Sequence, residues 1–254
     1  MQYEVRSMTL GEIVDTSFRI VRDHFVPLAG LSAVVYVPFT LLMTGWQMSI
    51  QSTAAAGGQL DPSAMIGQLG GIILTMMVVM PIVSVAIAHA VGEAYLGRAV
   101  NIAASLREAL RILLPLLGTS ILATLILMLA TLLFVIPGIW FMLGIIPLYA
   151  INVMERSFGM ASIRRSLDLM KDHRGRGFLL YLLITIVSGV LGAAFGLIGA
   201  ISPWVGALAQ GVASSVTGAF TGAVFIVFYF DLRCRKEAFD VEHLARLVAT
   251  PAGA

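Results

Sequence analysis

Charge is what this chain has least of. Only 12% of its 254 residues are Asp, Glu, Lys or Arg, about half the share of an ordinary soluble domain, while 59% are hydrophobic. That balance excludes a soluble globular protein, which has no means of hiding so much apolar surface. There is one cysteine, Cys234; it excludes an intramolecular disulfide and reads as a bystander. The net charge of +2 gives no basic field for nucleic acid, so no nucleic-acid partner is expected. The first 24 residues carry Glu4, Glu12, Asp15 and Asp23 without an apolar stretch, and no signal peptide is expected there. The chain also lacks a Walker A loop, a nucleophile elbow, paired intramembrane aspartates, a metal cluster and the acidic motif of CDP-alcohol transferases. No catalytic residue, cofactor or metal is expected.

What the chain does have is hydrocarbon in long runs. Six stretches are long enough for a helix rising about 1.5 Å per residue to cross a bilayer core: Val26 to Ile50, Gly71 to Leu96, Ile112 to Ile136, Gly138 to Val153, Gly177 to Ile201 and Gly206 to Phe230. The runs are continuous, whereas barrel strands would alternate polar and apolar residues, so the fold class is an all-α polytopic membrane protein.

The cations are sorted along the chain. Arg6, Arg19 and Arg22 precede span one, and Arg98, Arg107 and Arg111 link spans two and three. Arg156, Arg164, Arg165, Lys171, Arg174 and Arg176 link spans four and five, and Arg233, Arg235, Lys236 and Arg246 follow span six. These are all sixteen Lys and Arg of the chain, and the other three links hold none. With six crossings the four basic segments share one face. The positive-inside rule makes that face cytoplasmic, with both termini inside a bacterial inner membrane. The same cations can touch anionic lipid headgroups, and membrane lipids are the first expected partner.

Three amphipathic helices fall in the basic segments. Leu10, Ile13, Val14, Phe18, Val21 and Phe25 form a stripe, and Thr9 and Glu12 have the spacing of a capping box. Ser105 and Glu108 repeat that spacing before Leu106, Ala109, Leu110 and Leu113. Met160, Ile163, Leu167 and Met170 form the third stripe, with Arg164 and Asp168 placed as an i,i+4 pair. Such helices would lie in the headgroup plane, apolar side down. Each precedes two spans, which suggests a threefold internal repeat. The units are 1–25, an N-terminal interfacial helix; 26–96, a first hairpin; 97–153, a second interfacial helix with its hairpin; 154–231, a third; and 232–254, a cytoplasmic tail.

Three motifs, "MTLGEIVDTSFRIVRDHF", "AYLGRAVNIAASLREALR" and "FVIPGIWFMLGIIPLYAINVMERSFGMASIRRSLDLMK", together resemble a bacterial six-span inner-membrane family. It includes the membrane domain attached to some glycerophosphodiester phosphodiesterases. The resemblance covers nearly the whole chain and implies a fold and a compartment rather than a chemistry. About 24 residues follow span six, too few for a phosphodiesterase domain, so that activity is not expected.

Candidate sites are few. His89 and Glu93 stand four apart on span two, and Gln210 lies on span six; polar residues inside a bilayer are candidate relay or solute contacts, weighed here against helix tethering. Glu155, with Arg164 and Arg165, is expected to anchor the third surface helix to the end of span four or to meet a partner. Gly192 and Gly196 on span five, with Gly218 and Gly222 on span six, form small-residue ladders that fit packing between those two spans or self-association. Pro137-Gly138 is expected to turn the chain between spans three and four, and Pro38, Pro81 and Pro147 to interrupt spans one, two and four. The expected function is a non-catalytic membrane module, a scaffold or subunit in membrane homeostasis or an accessory to transport, with a membrane protein or a second copy as partner. The alternative is a transporter or channel for a small or lipid-like solute.

Overall fold

A computed structural model describes residues 6–55 and 62–238. Glu4, the link around Gln59 and the tail beyond Ala238, including Arg246, lie outside the described residues. The protein is an all-helical, multi-pass membrane protein: six helical stretches are long and apolar enough to cross a bilayer, and no strand occurs among the described residues.

The first helix, α1 (Leu10–Asp23), begins where the sequence says it should. Thr9 Oγ1 accepts from the Glu12 amide at 3.3 Å, and Glu12 Oε2 accepts from the Thr9 amide at 2.7 Å, so two otherwise unpaired N–H groups are satisfied. α2 (Phe25–Ala55) is span one and runs unbroken through Pro38. Span two, Leu69–Tyr95, comprises the end of α3 (Pro62–Leu74), a π-helical turn at Thr75–Val79 and α4 (Met80–Tyr95). Pro81 has no N–H to give to Met77, and the widened turn absorbs that loss. At the other end of α4, Gly97 adopts φ +76° and the Arg98 amide donates to the Glu93 carbonyl at 2.8 Å, a glycine-dependent helix stop.

The second surface helix, α5 (Ile102–Arg111), corrects one expectation. Its cap is Asn101, whose Oδ1 accepts from the Ala104 amide at 3.1 Å. The helix begins one turn before the expected Ser105, which is buried and turned to another use. Span three is α6 (Leu113–Leu133). The expected turn at Pro137-Gly138 is also displaced: the chain reverses at the extended Phe134 (φ −157°, ψ 140°), and α7 (Val135–Gly144) starts before the proline. Pro137 sits in the first turn, where its missing N–H costs nothing. Gly138 has its own role, because a Cβ there would stand 3.0 Å from the Thr131 Cα; hydrogen alone lets α7 fold back onto α6.

Span four breaks at Ile145–Pro147 and resumes as α8 (Leu148–Met154). It is followed by α9 (Gly159–Met170), α10 (Arg174–Gly196) with a 3-10 turn at Leu197–Ala200, and α11 (Pro203–Glu237).

The spans sort into two kinds. Spans one, three and five are 17%, 22% and 11% buried over their most apolar stretch, whereas spans two, four and six are 44%, 44% and 50% buried. Every hairpin thus contributes one peripheral and one central helix. The best-packed region lies at the basic end, where Tyr95 stacks on Phe230 at 4.9 Å and Phe228 and Tyr229 are fully enclosed. Toward the opposite end Leu125, Leu129, Leu132 and Ile136 are exposed, as residues facing hydrocarbon would be.

The surface helices pack against the bundle. α1 buries Ile13, Ile20 and Val21 against the bundle and leaves Phe18 exposed, as is Phe25 at the start of α2. α9 buries Ile163 and Met170, leaves Met160 exposed, and joins Ile163 to Ala123 of span three and Leu148 of α8. Much of each apolar stripe therefore meets protein rather than lipid.

Candidate functional site

His89 and Glu93 are engaged locally, Gln210 lies apart from them, and the three do not converge. His89 Nδ1 lies 3.2 Å from the buried Ser105 Oγ of α5. One turn later Glu93 Oε1 accepts from Arg98 at 3.0 Å, on the link that leaves α4. Both contacts fasten span two to the surface segment that follows it. Gln210 is elsewhere, near the start of α11, with its amide nitrogen 3.8 Å from where a Cβ on Gly192 would stand.

Two ionic clusters lie at the basic end. In the first, Asp231 of α11 is enclosed, with 0% of its side chain exposed. It pairs with Arg176 at 3.1 Å and Arg235 at 3.0 Å, and accepts from the Met8 amide at 2.7 Å. Both guanidinium groups also donate to the Met8 carbonyl at 2.7 Å. The residue just ahead of α1 is thereby clamped to spans five and six. Arg233, two residues further along α11, pairs with Glu237 at 2.9 Å.

The second cluster contains the anchoring residues expected from the sequence, but only in part. Arg165 holds Glu155 through two hydrogen bonds, of 2.8 and 3.1 Å, and also pairs with Glu237; the Tyr229 hydroxyl donates to Glu155 at 2.9 Å. The hydrogen bonds that Arg165 donates to Glu155 are the main reason its pKa is raised above its ordinary value. Arg156 turns the other way, to Glu108 of α5 at 2.6 Å. Arg164 stands apart: it is exposed, and no ion pair joins it to Asp168 among the described residues. Two of the three expected residues form a structural lock, and the third is left on the surface.

The glycine ladders do not pack as one seam. A Cβ on Gly218 would stand 2.9 Å from the Tyr36 ring of span one, and one on Gly222 would collide with Ile87 of span two. Nothing lies within 4 Å of the corresponding position on Gly196. Gly218 and Gly222 of span six serve spans one and two, while Gly206 of span six lies against Gly199 of span five, where a Cβ would stand 2.5 Å from the Gly199 Cα.

A cavity of about 450 Å³ opens inside the bundle, beside the break in span four. The hydroxyl-bearing residues Tyr36, Ser84, Tyr149, Tyr181, Ser214 and Thr221 line it from five different spans, between apolar residues such as Ile87 and Phe225. Its wall contains no Asp, Glu, Lys, Arg or His. None of His89, Glu93 and Gln210 lines it, and the sequence reading had not singled it out. One signal was available: Ser214, Thr217 and Thr221 stand at i, i+3 and i+7, a hydroxyl stripe on one helical face. Comparison with protein-family models, with curated proteins and with solved structures finds no match to this chain.

Proposed function

We propose that the chain is a non-catalytic integral membrane module of a bacterial cytoplasmic membrane, both termini inside, acting as a scaffold or subunit in membrane homeostasis or as an accessory to transport. The observation that carries this reading is the use made of the ionisable residues. His89, Glu93, Glu155, Arg165 and Asp231 all fasten surface segments to span ends, and a platform held that rigidly suits docking better than proton or ion relay. Arg164, exposed on the locked α9, is the contact expected to meet a membrane-protein partner. The sorting of cations supports the orientation, and the three motifs described above support kinship with the six-span family.

A photo-crosslinking residue at position 164, used in native membranes, tests the proposal. A discrete adduct with one membrane protein is expected, and it survives His89→Ala and Glu93→Gln. If instead no adduct forms and those two substitutions abolish uptake of a solute without lowering folded protein, the transporter reading replaces this one. Orientation is tested separately in a Cys234→Ser background: a cysteine beside Lys171 resists an impermeant reagent on intact cells, and one beside Gln59 reacts.

A further inference from the structure

We infer that the cavity beside the broken span four is a binding site for a single uncharged amphiphile, of the neutral glycerolipid kind, with hydroxyl and ester groups on hydrocarbon chains. The inference stands apart from the scaffold reading, since a docking platform and a carrier could each hold such a molecule.

Charge decides the first half of the chemistry. No cation or anion lines the cavity, so a phosphate or carboxylate drawn into it would lose its hydration without meeting a counter-charge. The buried part of the occupant is therefore neutral. Hydrogen bonding decides the second half. Ser84, Tyr181, Ser214 and Thr221 have no side-chain hydrogen bond to any described residue. Thr217, by contrast, turns back to the Ala213 carbonyl at 3.0 Å, and the Tyr36 hydroxyl points to Met80 Sδ at 3.6 Å. Bare alkyl chain would leave the four free hydroxyls unmet in a medium that offers no water. An occupant carrying its own hydroxyl and carbonyl oxygens satisfies them, while Ile87, Leu143, Ile146 and Phe225 take its hydrocarbon.

Size and access agree. The volume lies in the range of small-molecule sites, and Tyr181 is 40% exposed on the outside of span five, so this wall faces the bilayer and admits a ligand sideways. Span four supplies the remaining shape: with Pro147 unable to donate to Leu143, the helix opens at Ile145–Pro147, and the space lies beside that gap.

The test uses the full chain in phosphatidylcholine nanodiscs containing a trace of diacylglycerol with a diazirine in one chain. After photolysis, adducts are expected in peptides 142–150 and 214–226. Excess plain diacylglycerol suppresses them, and phosphatidic acid with the same chains does not. Thr221→Phe, which fills the cavity, abolishes this labelling. The milder pair Ser84→Ala with Thr221→Val keeps the shape, and should weaken competition by diacylglycerol about tenfold, as two lost hydrogen bonds imply. Leu125→Phe, on an exposed face of span three, leaves labelling intact. Adducts spread evenly over lipid-facing peptides, equal competition by phosphatidic acid, or labelling unchanged in both cavity variants of normal melting temperature would each overturn the inference.

Discussion

Replacing Asp231 by Asn changes almost no volume but removes the one anion between Arg176 and Arg235. The carboxylate is fully enclosed, while the two guanidinium side chains are 25% and 33% exposed. Breaking a wholly buried pair by removing one partner costs about 3–5 kcal/mol. Water reaching both arginines relieves part of that, and the amide oxygen can still accept from Met8, so about 2–3 kcal/mol is expected. The loss should be local. Met8 is held by its amide to Asp231 and by its carbonyl to both arginines, and α1 follows directly. Amide hydrogen exchange in nanodiscs should therefore show α1 opening about 30- to 150-fold more often, while the peptides of spans two and six keep their protection. Combining Asp231→Asn with Arg235→Met should cost less than the two separate losses, because the second change removes a cation that the first left unpaired. If protection over Leu10–Asp23 in the Asn variant stays within about twofold of wild type, or the two losses add fully, Asp231 does not hold α1 in the way described.

Other consequences are equally open to measurement. Arg165→Met takes the paired cation from Glu155, which is 19% exposed, and leaves Glu237 to Arg233 alone; it should lower stability by about 1–2 kcal/mol, with Arg165→Lys recovering only part because an ammonium cannot make both bonds to Glu155. Gly222→Ala should lower the melting temperature, since its Cβ meets the buried, β-branched Ile87, whereas Gly196→Ala, facing open space, should leave it unchanged or raise it slightly. The Thr9 backbone amide, followed by Arg6, holds Glu12 down to about 2 from its ordinary 4.5. Its contribution to the α1 cap is therefore complete above about pH 4.5 and fades as pH falls toward 2, a window in which exchange over α1 should rise in wild type but not in Glu12→Gln. Thr9→Ala should destabilise the same helix by about 1 kcal/mol, read by the same exchange.

The features legible in the sequence were those that depend on neighbours within a turn or two. Thr9 and Glu12 announced a capping box because both partners lie in one helical turn. The same spacing at Ser105 and Glu108 misled, because Asn101 was an equally good cap one turn earlier and Ser105 was needed by His89. Pro137-Gly138 misled in a related way: the pair suits a turn, but it suits equally a helix start followed by a close approach to Thr131. Glu155 and Arg165, named together from the sequence, form an ion pair, whereas Tyr229 and Glu237 of the same lock lie more than 60 residues away along the chain. Arg164 was expected beside them and is left exposed on the surface.

Hydrocarbon content sums residue by residue, so the sequence alone was enough to determine six crossings, the sorting of every cation into four segments and the presence of amphipathic helices between them. The tertiary structure decided which helices are central, which glycines are pressed against a neighbour, how Met8 is clamped by residues more than 160 positions away, and where five spans leave an uncharged cavity ringed with unmet hydroxyls. Those properties depend on the distance between side chains of different helices, and hydropathy along a single helix carries no information about that distance.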